Sequence, residues 1–357
     1  MKMRPFGRLI STREALDRLL GATEPVRRTE RLPVTEAVGR RSAGRILAAH
    51  PVPPFRRASW DGYAVRSADT RAATKARPVR LGLVGEVYAE TPSRRRVGAG
   101  TAVAIATGGP LPPGADGVVI FEDVTVEGSD VVVSAPVRPG DRIADVGEDF
   151  PAGARLADRD DLLTPPRLGA IAAAGRSTVE VWSRPRVGIL PNGNELRVPG
   201  ERLSFGAIHE SNNASLAALA RAFGAEVTPH APVPDDEGAI EAVIRRAIPG
   251  VDLLLVTGGS SVGEHDFLPA IFPRLGRLLF HGIAVRPGKP TLAVRAGATL
   301  VIGMPGHPTS CLANGLWLVA PVLARLGHSD AVPWSDKSVV LTESYDVPTS
   351  SFSTVVP

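Results

Sequence analysis

Cysteine is nearly absent: Cys311 stands alone in 357 residues, which excludes an intramolecular disulfide and any Cys-rich zinc site. Lysine is scarce too. Lys2, Lys75, Lys289 and Lys337 are the whole set, so the formal charge of +4 and the pI near 9.6 come from arginine. Aromatic residues make up 5%, and basic runs interleaved with aromatic rings, the footprint of nucleic-acid binding, are missing. The short run Arg94-Arg95-Arg96 reads as a solvated turn, and a small anionic ligand suits the charge better than a polymer. From Gly303 to Ala324 no Asp, Glu, Lys or Arg occurs, but Pro, His, Asn and Gly interrupt the run, so a buried helix is expected there and not a membrane span. The opening "MKMRPFGRLI" has no apolar core before Ser11 and Arg13, which argues against a secretory leader. A cytoplasmic protein with neither nucleic acid nor membrane as partner is expected.

With 357 residues, 43% of them hydrophobic, the chain can bury more than one core, and two to four domains are the natural expectation. "STREALDRLLG" has capping-box spacing at Ser11 and Glu14 and places Leu16, Leu19 and Leu20 on one helical face. Between about 78 and 158 short β-branched runs alternate with Gly/Pro turns, as in "GVVIFEDVTVEGSDVVVSA", where "EGSD" separates two strands. "LLTPPRLGAIAAAG" reads as helix past Pro165 and Pro166. After Pro185 the rhythm of strand, Gly-containing loop and helix repeats, the pattern of an α/β domain with a largely parallel sheet. The fold class is therefore multidomain α/β and β. The expected division is a helical and linker scaffold over 1–50 and 159–185, a β-rich insertion over 51–158, the α/β domain over 186–329, and from 330 to 357 a short or truncated β segment.

In an open parallel sheet the loops at the carboxyl ends of neighbouring strands line one crevice, with helix N–H groups pointing into it. "VTGGSSVGEHDFL" gives up side chains at such a place: Gly258 and Gly259 let a ligand reach the backbone, while Ser260 and Ser261 can cap the next helix or donate to an oxyanion. "PGHPTS" at 305–310 supplies a second loop and helix start, and "RPGKP" at 286–290 offers Arg286 and Lys289. One helix N-terminus contributes only about 0.3–1 kcal/mol to a bound charge, so several loops and a cation have to act together. Among the carboxylates Asp61, Glu148, Asp149, Glu195, Asp235 and Asp266 lie at turns or strand ends, and Asp266 is the foremost candidate to hold a divalent cation such as Mg2+. Gly282 to Lys289 imitates a P-loop, yet Pro290 occupies the Ser/Thr position, and "GGSSVGE" is not GxGxxG. His265 and His307 receive no catalytic role, and Cys311 is expected to be an inert helix residue.

The blocks "PPFRRASWDGYAV", "ATGGPLPPGADGVVIFED", "RIADVGEDFPAGARL", "NGNELRVPGERLSFGAIHESN", "DLLLVTGGSSVGEHDFL", "VRPGKPTLAV" and "MPGHPTS" resemble, in this order, the molybdopterin molybdenumtransferase family, which includes bacterial MoeA and the E domain of gephyrin. The resemblance implies a three-layer α/β molybdopterin-binding domain. It further implies a homodimer whose site lies between the α/β domain of one subunit and the inserted domain of the other, and association with other proteins of cofactor biosynthesis. The implied reaction converts adenylylated molybdopterin and molybdate into the molybdenum cofactor and AMP, aided by a divalent cation. Carried over by motif, Asp61, Thr107, Asp149, Glu195 and Asp266 would be catalytic, and Asp235 with Asp266 would hold the metal. Gly258, Gly259, Ser260, Ser261, Arg286, Lys289, Pro290, Pro305, Pro308 and Ser310 would bind substrate. Asn192-Gly193-Asn194-Glu195 stands where the family commonly has "TGDE", and Arg286 and His307 depart as well, which leaves room for an altered metal or oxyanion preference, tungstate included. The competing readings are a scaffold of the gephyrin kind that binds without turnover, and a nucleotide-processing enzyme on the same α/β unit.

Overall fold

The computed structural model describes residues 8–90, 95–261, 263 and 266–329, together with the backbone of Ser353–Thr354. The β segment expected over 330–357 lies outside the described residues, apart from Ser353–Thr354, which pairs in parallel with Val285–Arg286. Arg94, His265 and the start of the leader reading at residues 1–7 also lie outside them. The chain forms two compact units, one drawn from residues up to Glu30 and from Val181 onward, the other spanning Arg31–Glu180.

Helix α1 (Thr12–Gly21) begins as its cap predicts: the Ser11 side chain accepts the Glu14 N–H at 3.1 Å. Ala15 and Leu19 are buried, and Leu16 and Leu20 pack at the margin of the same core.

In the Arg31–Glu180 unit, β1 (Gly62–Val65), β2 (Val79–Val87), β3 (Thr101–Ile105), β4 (Gly117–Ile120), β5 (Val124–Glu127) and β6 (Asp130–Val133) make one sheet in the order β4-β1-β3-β2-β6-β5. Only β2 and β3 run parallel. The β5–β6 hairpin turns at Gly128 with φ of 64°, as "EGSD" predicts. Because strand side chains alternate in direction, β1 feeds two cores: Ala64 joins Val103 and Val118 on one face, Tyr63 and Val65 join Val119 and Val131 on the other. A Cβ at Gly62 would overlap the Val119 carbonyl oxygen, so the close approach of β1 to β4 requires glycine there. Helix α2 (Pro165–Ala173) takes its prolines in the first turn, where no N–H partner is needed, and buries Leu168 and Ile171.

The other unit is built on β7 (Arg186–Pro191), α3 (Asn212–Ala222), β8 (Glu226–Pro229), α4 (Glu237–Ala247), β9 (Leu253–Thr257), α5 (Leu268–Leu275), β10 (Arg277–His281), β11 (Leu292–Ala296), β12 (Thr299–Met304) and α6 (Pro308–Asn314). The sheet order is β8-β7-β9-β12-β11-β10; the first four strands are parallel, and β11 pairs antiparallel with both β12 and β10 at one edge. β9 is buried along its whole length because both its faces are covered: Leu253 and Leu255 pack with α1, α3 and the helices after β12, while Leu254 and Val256 pack with α4 and α5. That is the expected three-layer arrangement. The helical run Pro308–Leu326 is long and apolar enough to cross a membrane, but 72% of its apolar window is buried in this core.

At the opposite ends of the strands, Arg28 donates to both oxygens of Asp252 at 2.9 and 2.8 Å, and the Arg186 N–H adds a contact of 2.8 Å. Burial pushes the Asp252 carboxyl up, but the Arg28 and Arg186 contacts outweigh it and hold it below its ordinary value. A depressed carboxyl stabilises the fold above its unfolded pKa, and that contribution disappears as pH falls through the folded one. Asp252→Asn should therefore lower the melting temperature at pH 7, and the difference from the native chain should shrink as pH drops below about 3.9. A gap that stayed constant into strong acid would assign the loss to something other than the ion pair.

Candidate functional site

β7, β9 and β12 are neighbours in the sheet, and the segments after their carboxyl ends open onto one hollow of about 380 Å3. It gathers eight residues expected at a site: Glu195, Asp235, Gly258, Gly259, Ser260, Ser261, Asp266 and Pro290. Arg286, Lys289, Pro305, Pro308 and Ser310 are not among its lining residues. Pro305 and Ser310 are buried beside it in the chain, Pro308 opens α6, and Arg286 is exposed.

The two glycines serve the protein before any ligand. Gly258 and Gly259 have φ of 88° and 63°, a region that L side chains rarely adopt. A Cβ on Gly258 would lie 2.5 Å from the Asn192 carbonyl oxygen, and one on Gly259 would lie 2.9 Å from Asn192 Nδ2. Glycine is thus needed first so that the loop after β9 can lie against the loop after β7, which qualifies the expectation that these positions exist to admit a ligand.

The acids of the hollow are held by backbone and amide donors. Asp266 accepts the Ser261 N–H at 3.1 Å on Oδ1 and the Gly263 N–H at 2.7 Å on Oδ2, closing its own loop. Asp235 accepts Asn192 Nδ2 on Oδ1 and the Asn194 N–H on Oδ2, both at 3.1 Å, and its own N–H donates to Asn194 Oδ1 at 3.1 Å. Ser260 is 2% exposed and donates its hydroxyl proton to the Met304 carbonyl at 3.1 Å, so it ties β9 to β12 where an oxyanion donor was expected. No Lys, Arg or His occurs among the described lining residues, whereas Glu195, Asp235 and Asp266 do. The side-chain charge of the described lining is thus negative, and Arg286 and Lys289, the basic groups expected to supply positive potential, do not line the hollow.

That character suits a divalent cation. No group of three His, Cys, Asp or Glu side chains clusters among the described residues. Magnesium is commonly held by one or two carboxylates plus water and phosphate, so Asp235 and Asp266 fit it without a full protein cage. Among the described residues each of their oxygens takes one N–H and keeps a second lone pair.

Three further residues were not legible as site residues. The Oδ1 atoms of Asn192 and Asn212 are buried without a partner among the described residues, and Asn212 Nδ2 donates to the Gly306 carbonyl at 2.7 Å. Glu210 is 5% exposed and accepts the Asn213 N–H on both oxygens. Burial raises its carboxyl, against the pull of the Asn213 and Asn212 N–H groups. The polar run "HESNN" ahead of an apolar helix is the signal that could have found Glu210 and Asn212. Cys311 is fully buried, and burial, aided by Glu210, pushes its thiol up to about 12, in keeping with an inert residue.

Asp61 and Thr107 come together in the Arg31–Glu180 unit. Asp61 Oδ1 accepts the Thr107 N–H at 2.7 Å and the Thr107 hydroxyl at 2.9 Å, and these two bonds, backbone first, hold the exposed Asp61 carboxyl below its ordinary value. Asp61 borders a second hollow of about 230 Å3; Asp149, exposed in the turn after Gly147, does not line it.

Residues 10–175 match the family profile described as "MoeA N-terminal region (domain I and II)", and residues 188–325 match that of the "Probable molybdopterin binding domain". A molybdopterin molybdenumtransferase of Synechococcus elongatus is 38% identical over 301 residues, covering 82% of this chain and 74% of its own length. One from Bacillus subtilis is 35% identical over 325 residues, covering 90% and 76%. The crystal structure of a molybdopterin biosynthesis MoeA protein from Pyrococcus horikoshii OT3 superposes with a TM-score of 0.78 at 34% identity, over 90% of this chain and 80% of that one.

The contact of Gly258 with Asn192 can be tested directly. Gly258→Ala should destabilise the chain by roughly 1–3 kcal/mol in denaturant unfolding, whereas Gly44→Ala, where a Cβ meets nothing within 4 Å, should stay within about 0.5 kcal/mol of the native value. Equal effects would remove the loop-to-loop explanation.

Proposed function

This chain belongs to the molybdopterin molybdenumtransferase family, and on that premise we propose that it inserts molybdate into adenylylated molybdopterin, releasing AMP and forming the molybdenum cofactor. It is an enzyme of molybdenum cofactor biosynthesis. The observation that carries the finer reading is the acceptor-lined hollow at the ends of three parallel strands. Molybdate and a pyrophosphate are both anionic, and two like unit charges 4 Å apart repel by about 4 kcal/mol at an effective dielectric constant of 20. Glu195, Asp235 and Asp266 would add to that repulsion unless a divalent cation, Mg2+ in this reading, stood among them.

Asp235 and Asp266 would hold the cation, each already aimed by the N–H groups described above. When bound, a divalent cation supplies charge neutralisation and polarisation at the pyrophosphate. Asn192 and Asn194 keep the Asp235 carboxylate in place from the β7 side, and the Ser261–Asp266 turn does the same from the β9 side. Arg286 and Lys289, on the Val285–Pro290 segment, would steer the oxyanion, and Pro290 borders the hollow they would serve. The reading includes a cytoplasmic homodimer, with the β-rich unit of one subunit serving the α/β hollow of the other.

Adding molybdate to the purified chain with adenylylated molybdopterin and Mg2+ should release AMP, and omitting the cation should abolish release. A scaffold would bind and release nothing. Tungstate run in parallel reads out the oxyanion preference. Asp266→Asn should lower turnover roughly 10- to 100-fold and raise the Mg2+ concentration needed for half-maximal rate. An unchanged rate would take Asp266 out of the site.

A further inference from the structure

The Arg31–Glu180 unit carries a hollow of about 390 Å3, close in size to the one at the strand ends of the α/β unit and opposite to it in charge. Arg31, Arg45 and Arg176 line it against a single acid, Glu180. Its frame is backbone: the Val34 N–H donates to the Ser177 carbonyl and the Ala43 N–H to the Glu180 carbonyl, both at 3.0 Å. The Arg176 N–H reaches back to the Ile171 carbonyl of α2 at 3.2 Å. Three segments distant in sequence are tied together in this way, and each brings one arginine. Their side chains are only partly occupied. Arg45 Nε donates to Asp158 Oδ1 at 3.1 Å, while Arg155 claims the other oxygen of that carboxylate at 3.0 Å. Arg176 Nε donates to the Leu47 carbonyl at 3.3 Å. Arg31 has no hydrogen bond or ion pair among the described residues, and the terminal Nη amines of Arg45 and Arg176 have no acceptor there either. No hydrogen bond or ion pair joins Glu180 to any of the three.

We propose that this hollow binds a dianionic phosphoryl group, carried by inorganic phosphate or by a phosphate monoester. The assignment is independent of the insertase reading, and no residue named for that reaction lines the hollow. Three guanidiniums against one carboxylate give the lining a formal side-chain charge of three minus one, or +2, which a dianion balances. A guanidinium presents its donors as a planar fork that meets two oxygens of a phosphoryl group at once. The Nη amines that no protein group uses are the donors such a fork needs. The Ser177 and Thr178 hydroxyls, which also line the hollow and have no partner among the described residues, add neutral donors. A monoanionic carboxylate would leave charge uncompensated. Single-stranded nucleic acid would need aromatic platforms beside the cations, and none is among the described lining residues. The volume lies within the range of small-molecule sites, so the organic part of an ester has room beside its phosphoryl group.

The test titrates the full chain calorimetrically with inorganic phosphate and, in a separate arm, with glycerol 3-phosphate. Low ionic strength limits screening, and a chelator keeps any divalent cation from bridging the anion to the acids of the α/β unit. At a pH of about 8, where the phosphoryl group is doubly charged, saturable binding is expected. Arg31→Ala and Arg176→Ala should each weaken it roughly 10-fold, the loss of one charge-assisted hydrogen bond. Both side chains are exposed, so the variants should keep the native melting temperature and the lost affinity reads as a lost contact. Arg31→Lys should recover only part of the affinity, because the charge returns without the fork. Lys289→Ala, in the other unit, should change nothing. Tighter binding of the ester would identify a phosphorylated small molecule as the ligand, and equal binding would identify phosphate itself; both uphold the site. Absence of saturable binding in both arms, displacement by acetate as readily as by phosphate, or loss of binding in Lys289→Ala with the arginine variants unaffected would overturn it.

Discussion

The van der Waals meeting of Asn192 with Gly258 and Gly259 is the constraint on which the rest of the α/β unit's site depends. Two parallel strands place their following loops side by side, and only residues without Cβ allow the second loop to come down onto the first. Once that contact is made, Asn192 Nδ2 is in reach of Asp235 and the Asn194 N–H completes the hold. The β9 loop then folds back on Asp266, and Ser260 fastens it to the end of β12. The carboxylates are fixed by the same contacts that close the sheet's end, so the site is a product of strand order and not a set of side chains added to it.

Much of this was legible in the sequence. The Ser11 cap, the "EGSD" hairpin, the parallel α/β rhythm after Pro185 and the glycine pair at a strand end all have local causes, and local causes can be read from spacing. What could not be read depends on which strands become neighbours. Asp61 meets Thr107, 46 residues away, because the antiparallel register sets Gly62 opposite Ile105. Asn192 stood out only as part of the "NGNE" block, and its contact with the β9 loop exists only because β7 lies beside β9. The positive charge expected in the hollow rested on Arg286 and Lys289 being near in sequence to Pro290, and nearness along the chain does not decide which way a long side chain leaves the backbone.

Cys311 sits in the helix that follows the third loop, with no solvent exposure and packed into the core shared by α1, α3 and the sheet. A thiolate is the reactive form, so a sulfur so placed is closed to alkylating reagents and to soft metals while the unit is intact. The lone sulfhydryl thereby becomes an internal gauge of integrity: labelling kinetics at this atom measure how often the α/β unit opens, free of any background from a second thiol.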